Sequence, residues 1–121
     1  MVIRKSAEDY LEQILMLLES KGYARSIDIS EALGVTKPSV SIAMKKLREG
    51  SCISMDKRGL ISLTDKGFMI ARQTYDRHRM LTRFFISIGV NDETAQEDAC
   101  RAEHVLSEET FAMISRQLEK T

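Results

Sequence analysis

The chain has 121 residues, 43% of them hydrophobic and 30% charged, with no Trp, one Pro and a formal net charge of zero. That length suits one compact domain or two small ones, and the lack of any long apolar run excludes a membrane-spanning helix. The opening residues MVIRKSAEDY lack the apolar segment of a secretory signal, and Cys52 and Cys100 do not make a disulfide framework. We therefore expect a cytoplasmic protein in a reducing compartment.

The charge is unevenly distributed. Residues 1–83 contain 15 Lys and Arg against 10 Asp and Glu, whereas residues 84–121 contain 3 against 8. The excess positive charge of the first region could face a polyanion. The acidic second region could bind cations or could simply be solvated.

Two helices are predicted at the start of the chain. Ser6 followed by Asp9 is a variant of the capping box, and apolar residues then recur at helical spacing until Gly22 ends the helix. A second helix begins within residues 26–28 and ends at Gly34. Its predicted inward residues are Ile29, Ala32 and Leu33.

A tight turn and a third helix follow in GVTKPSV. Thr36 is a natural N-cap, Pro38 is tolerated in the first turn, and the helix should end at Gly50. Its predicted buried face consists of Val40, Met44 and Leu47.

The next stretch, CISMDKRGLISLT, changes from helical to strand periodicity. Its apolar residues flank a DKRG turn, which predicts a short β-hairpin; they are Ile53, Met55, Leu60 and Ile61. The order of two helices, a tight turn, a helix and a hairpin predicts a winged helix-turn-helix that binds DNA.

The candidate DNA contacts are mainly small polar residues and cations. The start of the third helix offers short side chains to a major groove, later cations can reach phosphates, and the hairpin tip can touch the backbone of the neighbouring groove. The residues are Arg25, Thr36, Lys37, Pro38, Ser39, Ser41, Lys45, Lys46, Arg48, Lys57 and Arg58. The alternative is a helix-turn-helix that contacts only proteins.

No Arg, Asn or Gln lies in the first two turns of this recognition helix. Bidentate base contacts are therefore not expected there. Pro38 and Ile42 can contact thymine methyl groups, so we expect an A·T-rich operator that is read partly through its shape. One module would bind weakly, which favours a homodimer on a palindromic site.

The last part of the chain predicts three more helices. Thr64 caps a long helix that ends before Gly89, Asn91 and Asp92 open a fifth helix that carries residues 100–104, and Ser107 opens a sixth. The inward stripe predicted for the long helix consists of Phe68, Ala71, Tyr75, His78, Leu81 and Phe85. We expect a DNA-binding domain over residues 1–63 and a helical metal-binding and dimerisation domain over residues 64–121.

The segment CRAEHVLS places a thiol, a carboxylate and an imidazole at Cys100, Glu103 and His104. Offsets of three and four residues put side chains on one face of a helix. They could be metal ligands, or a small cysteine beside an ordinary salt bridge.

Five stretches of the chain resemble the diphtheria toxin repressor family of metal-dependent transcriptional regulators, which includes the manganese transport regulators. They are AEDYLEQIL at 7–15, GYARSIDISEALGVTKPSVS at 22–41, RGLISLTDKG at 58–67, RHRML at 77–81 and ACRAEHVLS at 99–107. The resemblance implies an all-α fold with a small β-hairpin wing, and a homodimer that represses metal-uptake genes and is not an enzyme. The SH3-like third domain of some iron-type members is not expected, because the sequence ends after the sixth helix.

The resemblance also implies a set of metal ligands: Asp9, Glu12, His78, Cys100, Glu103 and His104. Manganese-type members have Glu at the position of Cys100, and iron-type members have Met at the position of Asp9. This chain combines a hard carboxylate with a thiolate, so Mn²⁺ and Fe²⁺ both stay open, with Co²⁺ or Zn²⁺ as substitutes in vitro. Two rival functions are a metal-independent winged-helix regulator with a redox-sensing Cys100 and a small metallohydrolase.

Overall fold

The protein is described by a computed structural model that covers the backbone of residues 5–120 and the side chains of residues 7–120. The elements are α1 (Lys5–Lys21), α2 (Ser26–Leu33), α3 (Lys37–Glu49), β1 (Ile53–Met55), β2 (Ile61–Leu63), α4 (Asp65–Ser87), α5 (Asp92–Ala102) and α6 (Glu108–Glu119). The chain divides into two compact units, one ending at Arg72 and the other beginning at Gln73. The predicted fold class, mainly helical with a β-hairpin, is confirmed.

The N-terminal unit packs α1, α2, α3, the hairpin and the first part of α4 around one apolar core. The most deeply buried large side chains in it are Leu11, Ile14, Ile29, Val40, Met44 and Ile61. The backbone amide of Ile61 also donates to the carbonyl of Ala24 at 2.8 Å, which ties β2 to the segment between α1 and α2. The predicted inward face of α3 is thereby confirmed.

The helix-turn-helix has the local signals that were predicted for it. Gly34 ends α2 with a left-handed φ of 67°, a conformation that glycine adopts without steric cost. The side chain of Thr36 accepts a hydrogen bond from the amide of Ser39, and Pro38 lies in the first turn of α3. At the start of α2, the amide of Arg25 donates to the carboxylate of Asp28 at 3.1 Å.

Three details of the sequence prediction are wrong. Ser6 lies inside α1, which already includes Lys5, so it is not the cap, and its side chain lies outside the described residues. Ala32 is exposed, because the inward side of α2 runs from Ile29, which is buried, to Leu33, which is half-buried, and Ala32 lies to one side of these two. Phe68 is 46% exposed, because the buried face of α4 runs through Gly67 and Ala71 instead.

The hairpin is short and has a well-defined tip. Strands β1 and β2 are antiparallel, with Ile53 opposite Leu63. At the tip, one carboxylate oxygen of Asp56 accepts from the amides of Arg58 and Leu60, at 2.8 and 2.9 Å. Because the side chain of Asp56 accepts both hydrogen bonds, residues within the turn itself determine its conformation.

The C-terminal unit consists of the rest of α4 with α5 and α6. Its core cluster is small: Leu81, Ala99 and Phe111 are buried, and the guanidinium of Arg77 lies 4.4 Å from the centre of the Phe111 ring. Asn91 and Ser107 cap α5 and α6, as predicted, by accepting from the amides of Thr94 and Thr110. None of the described helices is long and apolar enough to cross a membrane.

The end of α5 differs from the prediction. The helix stops at Ala102, so Glu103 is its C-cap and His104 lies in the turn that follows. The amide of Glu103 still reaches the carbonyl of Ala99 at 3.0 Å, but the amide of Val105 bonds to Ala102, only three residues back. This tightening of the last turn is common at helix ends.

Candidate metal centre and nucleic-acid interface

Glu103 lies between two imidazoles in the C-terminal unit. Its Oε2 is 3.1 Å from Nδ1 of His78, and its Oε1 is 3.3 Å from Nε2 of His104. The side chain of Glu103 is fully buried, and those of His104 and His78 are 3% and 27% exposed. A buried carboxylate is costly unless it is compensated by partners of opposite charge or by a metal ion.

One oxygen of this carboxylate is incompletely satisfied. Oε1 of Glu103 is buried and has no hydrogen-bond partner among residues 7–120, because its approach to His104 does not have hydrogen-bond geometry. A ligand oxygen of Glu103 and the sulfur of Cys100 lie within 4.8 Å of each other. Two imidazoles, a carboxylate and a thiol are the donors that divalent first-row transition metals use, so these residues fit such an ion.

The end of α5 and the middle of α4 create this arrangement. Cys100 lies in the last turn of α5 and is exposed, whereas Glu103 turns inward at the helix end. His78 comes from α4, 25 residues earlier in the chain. The structure therefore places three of the predicted ligands in the C-terminal unit, His78, Cys100 and His104, each within 4.8 Å of an oxygen of Glu103.

The other two predicted ligands lie on α1 in the N-terminal unit. Asp9 and Glu12 are half-buried and are three residues apart, so they project from the same side of the helix. The same helix packs inward through Leu11 and Ile14, which are fully buried. Asp9 and Glu12 therefore lie beside the packed face of α1 and not on its most exposed side.

The candidate DNA contacts lie on an exposed face of the N-terminal unit. All nine main candidates are exposed: Arg25, Thr36, Lys37, Pro38, Ser39, Ser41, Lys45, Lys57 and Arg58. Helix α3 has 13 residues and is therefore about 20 Å long, enough to lie along a major groove. The hydroxyl of Thr36 donates to that of Ser39 at 2.9 Å, so these two groups are held together at the start of the helix.

A cationic cluster that the sequence analysis did not single out surrounds Tyr23. The charged groups of Lys21 and Arg25 lie 5.9 and 5.8 Å from the ring centre, and the ring is 44% exposed. Lys21 also pairs with Asp28 at 3.4 Å. The alternation of cations and an aromatic residue in KGYAR is the signal that could have predicted this cluster, and it adds Lys21 and Tyr23 to the candidate phosphate contacts.

Comparison with protein families matches both parts of the chain. Residues 3–61 match the iron dependent repressor, N-terminal DNA binding domain, and residues 64–121 match the iron dependent repressor, metal binding and dimerisation domain. The HTH-type transcriptional regulator MntR of Bacillus pumilus (strain SAFR-032) is 47% identical over 103 residues, which cover 84% of this chain and 71% of the relative.

Two solved structures share the fold. A manganese-dependent transcriptional repressor in complex with manganese aligns with a TM-score of 0.86 and 29% identity, over 93% of this chain and 52% of that structure. The IdeR protein of T. acidophilum aligns with a TM-score of 0.81 and 32% identity, over 93% and 53%. The chain thus spans about half the length of these solved structures.

Proposed function

The chain belongs to the family of iron-dependent repressors, and from that membership we propose that it is a transcriptional repressor of manganese or iron homeostasis that a divalent metal ion activates. Residues 3–61 are the family's DNA-binding domain, and residues 64–121 are its metal-binding and dimerisation domain. The chain accordingly acts on DNA as a homodimer and, like relatives that are named as transcriptional regulators, has no enzymatic activity. Its site of action is the cytoplasm.

The observation that carries this proposal is the environment of Glu103. A carboxylate that is fully buried between two imidazoles, with one oxygen that has no hydrogen-bond partner among residues 7–120, is poorly explained as a packing residue. His78 accounts for Oε2, whereas Oε1 lies 3.3 Å from Nε2 of His104 without a hydrogen bond. A bound cation would offset the charge of this carboxylate and take up its second oxygen.

We assign six ligands to the metal: Asp9 and Glu12 from the DNA-binding domain, and His78, Cys100, Glu103 and His104 from the metal-binding domain. The carboxylates suit Mn²⁺, and the thiolate and imidazoles suit Fe²⁺, with Co²⁺ and Zn²⁺ as substitutes in vitro.

The mechanism follows from charge. Asp9, Glu12 and Glu103 would hold a divalent cation, whose positive charge would offset the mutual repulsion of these carboxylates. The loaded protein would favour the dimer in which the two α3 helices are spaced by about one DNA turn, roughly 34 Å. Lys45, in that helix, contacts phosphates on either half-site.

The operator follows from the exposed surface of α3. Thr36 and Ser39 offer hydroxyls, and Pro38 and Ile42 offer apolar contact to thymine methyl groups. These contacts discriminate weakly between bases, so shape and deformability supply part of the specificity. We propose an A·T-rich, palindromic operator.

The test is binding to labelled A·T-rich palindromic DNA at fixed ionic strength, titrated with Mn²⁺, anaerobic Fe²⁺, Co²⁺ and Zn²⁺. Glu103→Gln removes the buried negative charge with little change of shape, and Glu97→Gln makes the same change at an exposed position of α5. We expect metal to tighten binding in the parent protein and in the Glu97 variant, and not in the Glu103 variant. Equal binding in chelator and in every metal would overturn the metal switch.

A second candidate function is favoured by the exposure of Cys100. In a redox regulator, oxidant would change DNA affinity and metal would not, because an accessible thiolate is the group that oxidants modify. Cys100→Ser would then abolish the effect of oxidant on DNA affinity, whereas Asp9→Ala would leave that effect intact. If metal is the effector, Asp9→Ala should instead weaken the effect of metal on DNA affinity.

A further inference from the structure

Three elements of the N-terminal unit meet at one point: the end of α3, the start of the hairpin and the start of α4. We call this point the junction and define it as residues 50–52 and 64–67. The amide of Cys52 donates to the carbonyl of Leu47 at 2.9 Å, which attaches β1 to the last turn of α3. The amide of Thr64 donates to the carbonyl of Cys52 at 3.1 Å, which attaches the other end of the hairpin to the same residue.

The hydroxyl of Thr64 serves two elements at once. It donates to the carbonyl of Ser51 at 2.7 Å and accepts from the amide of Gly67 at 3.1 Å. It therefore caps α4 and also ties that cap to Ser51, two residues beyond the end of α3. Nearby, the ammonium of Lys66 donates to the carbonyl of Gly50 at 3.0 Å. Donors from the start of α4 thus satisfy the carbonyls of two residues in the turn that follows α3.

Gly67 permits the close approach on which these bonds depend. A Cβ at Gly67 would overlap the carbonyl oxygen of Cys52 and would lie 2.9 Å from the carbonyl carbon. The obstacle is backbone, so no side-chain rotation can relieve it. Gly67 is buried and helical, where glycine costs about 1 kcal/mol relative to alanine. The close contact explains why that cost is accepted at this position.

The hairpin depends on the junction for its direction. Its strands have three residues each, and a two-stranded hairpin of that size has little stability of its own. The cations Lys57 and Arg58 lie at the tip, on the far side of the strands from the junction. A change of angle at the root of the hairpin is therefore carried to its tip.

From this geometry we infer that Thr64 and Gly67 are positioning residues for DNA binding: they set the angle between the recognition helix α3 and the wing, and so place Lys57 and Arg58 on the DNA backbone. The inference rests on the proposed function, because it requires that α3 and the wing bind one duplex together. It assigns to the junction a role beyond the stability of the unit.

The experiment measures DNA affinity as a function of salt, with saturating Mn²⁺, for Gly67→Ala, Thr64→Val and Thr64→Ser. Each variant is made in the parent chain and in a background that carries Lys57→Ala and Arg58→Ala. Met69→Ala is the matched control, because Met69 is 72% exposed and lies two residues beyond Gly67 on α4. Thermal unfolding of every variant records its stability separately.

We expect Gly67→Ala to weaken binding by the same factor as removal of both wing cations. It should also lower the slope of log affinity against log salt by about 2, as the loss of two phosphate contacts requires. In the background without the wing cations, Gly67→Ala should have no further effect. Thr64→Ser keeps the hydroxyl and should bind like the parent chain and the control, whereas Thr64→Val should show part of the loss.

Two results would overturn the inference alone. One is an equal loss of affinity from Gly67→Ala with and without the wing cations, which indicates general damage to the unit. The other is identical binding by the Val and Ser variants of Thr64, which decides the matter even if Gly67→Ala does not fold. Failure of the parent chain to bind the duplex with metal would instead overturn the proposed function, and this inference with it.

Discussion

The two units differ in how much core they possess. In the described part of the N-terminal unit, thirteen buried residues form one cluster that joins three helices, the hairpin and the start of α4. Among the described residues of the C-terminal unit, the core cluster has only three buried members, Leu81, Ala99 and Phe111. The first unit can be stabilised by its own packing, and we propose that the second gains part of its stability from a metal ion and from a second copy of the chain.

This difference suits a switch. A ligand shifts a conformational equilibrium only by its differential affinity for the two states. The N-terminal unit, which binds DNA, should keep its structure when metal is removed. The C-terminal unit should be the one whose free energy of unfolding the metal changes.

The largest effect should come from the N-terminal core. Met44 is 2% exposed and packs in the centre of the cluster, so Met44→Ala leaves a cavity and should lower the free energy of unfolding by about 2–5 kcal/mol. Denaturant unfolding followed by circular dichroism measures this. A cost below about 1 kcal/mol would mean that the N-terminal unit is not the well-packed half of the molecule.

The next effect concerns metal and the C-terminal unit. Free metal at 100 times its dissociation constant should stabilise the protein by about 2.7 kcal/mol, by mass action alone. Glu103→Gln should abolish this stabilisation, because the buried carboxylate is the centre of the proposed site. Calorimetric unfolding with and without Mn²⁺ provides the measurement, with Glu97→Gln as the matched control. Equal stabilisation of the Glu103→Gln and Glu97→Gln variants by Mn²⁺ would contradict this expectation.

A smaller effect is expected at the start of α6. The hydroxyl of Ser107 accepts from the amide of Thr110 at 3.2 Å, and loss of such a cap costs about 1 kcal/mol. Ser107→Ala should therefore lower the free energy of unfolding of the metal-free protein by about that amount, which denaturant unfolding measures. An unfolding curve that superimposes on that of the parent chain would contradict this expectation.

The smallest effect on the monomer should come from the exposed apolar residues. Met113→Ala is the same substitution as in the N-terminal core, but at a position that is 49% exposed. We expect the free energy of unfolding at low protein concentration to change by less than about 0.5 kcal/mol, as at most surface positions. The dimer should nevertheless dissociate more readily in sedimentation equilibrium, because apolar side chains at an interface contribute to association.

The sequence predicted most reliably those features whose cause is local. Thr36 and Ser107 were predicted as caps because a hydroxyl bonds to an amide three residues later, and the structure confirms both. The hairpin was predicted for a similar reason, since the strand periodicity and the turn residues are adjacent in the chain. Winged-helix architecture followed from the order of these elements.

The errors arose where distant residues decide the outcome. Phe68 was predicted to be inward from helical periodicity, but the contact between Gly67 and Cys52 turns α4 so that Phe68 faces outward. Likewise, the fifth helix was predicted to carry His104, whereas α5 ends at Ala102 and His104 lies in the turn that follows. The predicted proximity of Cys100 and Glu103 is kept, because their ligand atoms lie within 4.8 Å of each other. The ligand types could be taken from the sequence, but the burial of Glu103 beside His78 could not, because 25 residues separate them.

Metal bound through Glu103 and DNA bound through α3 should be thermodynamically coupled. This coupling is measured by the affinity of the protein for Mn²⁺, by isothermal titration calorimetry, with and without saturating operator DNA. We expect DNA to tighten metal binding by the same factor by which metal tightens DNA binding, a coupling of about 1–3 kcal/mol. An affinity for Mn²⁺ that is identical with and without DNA would contradict it.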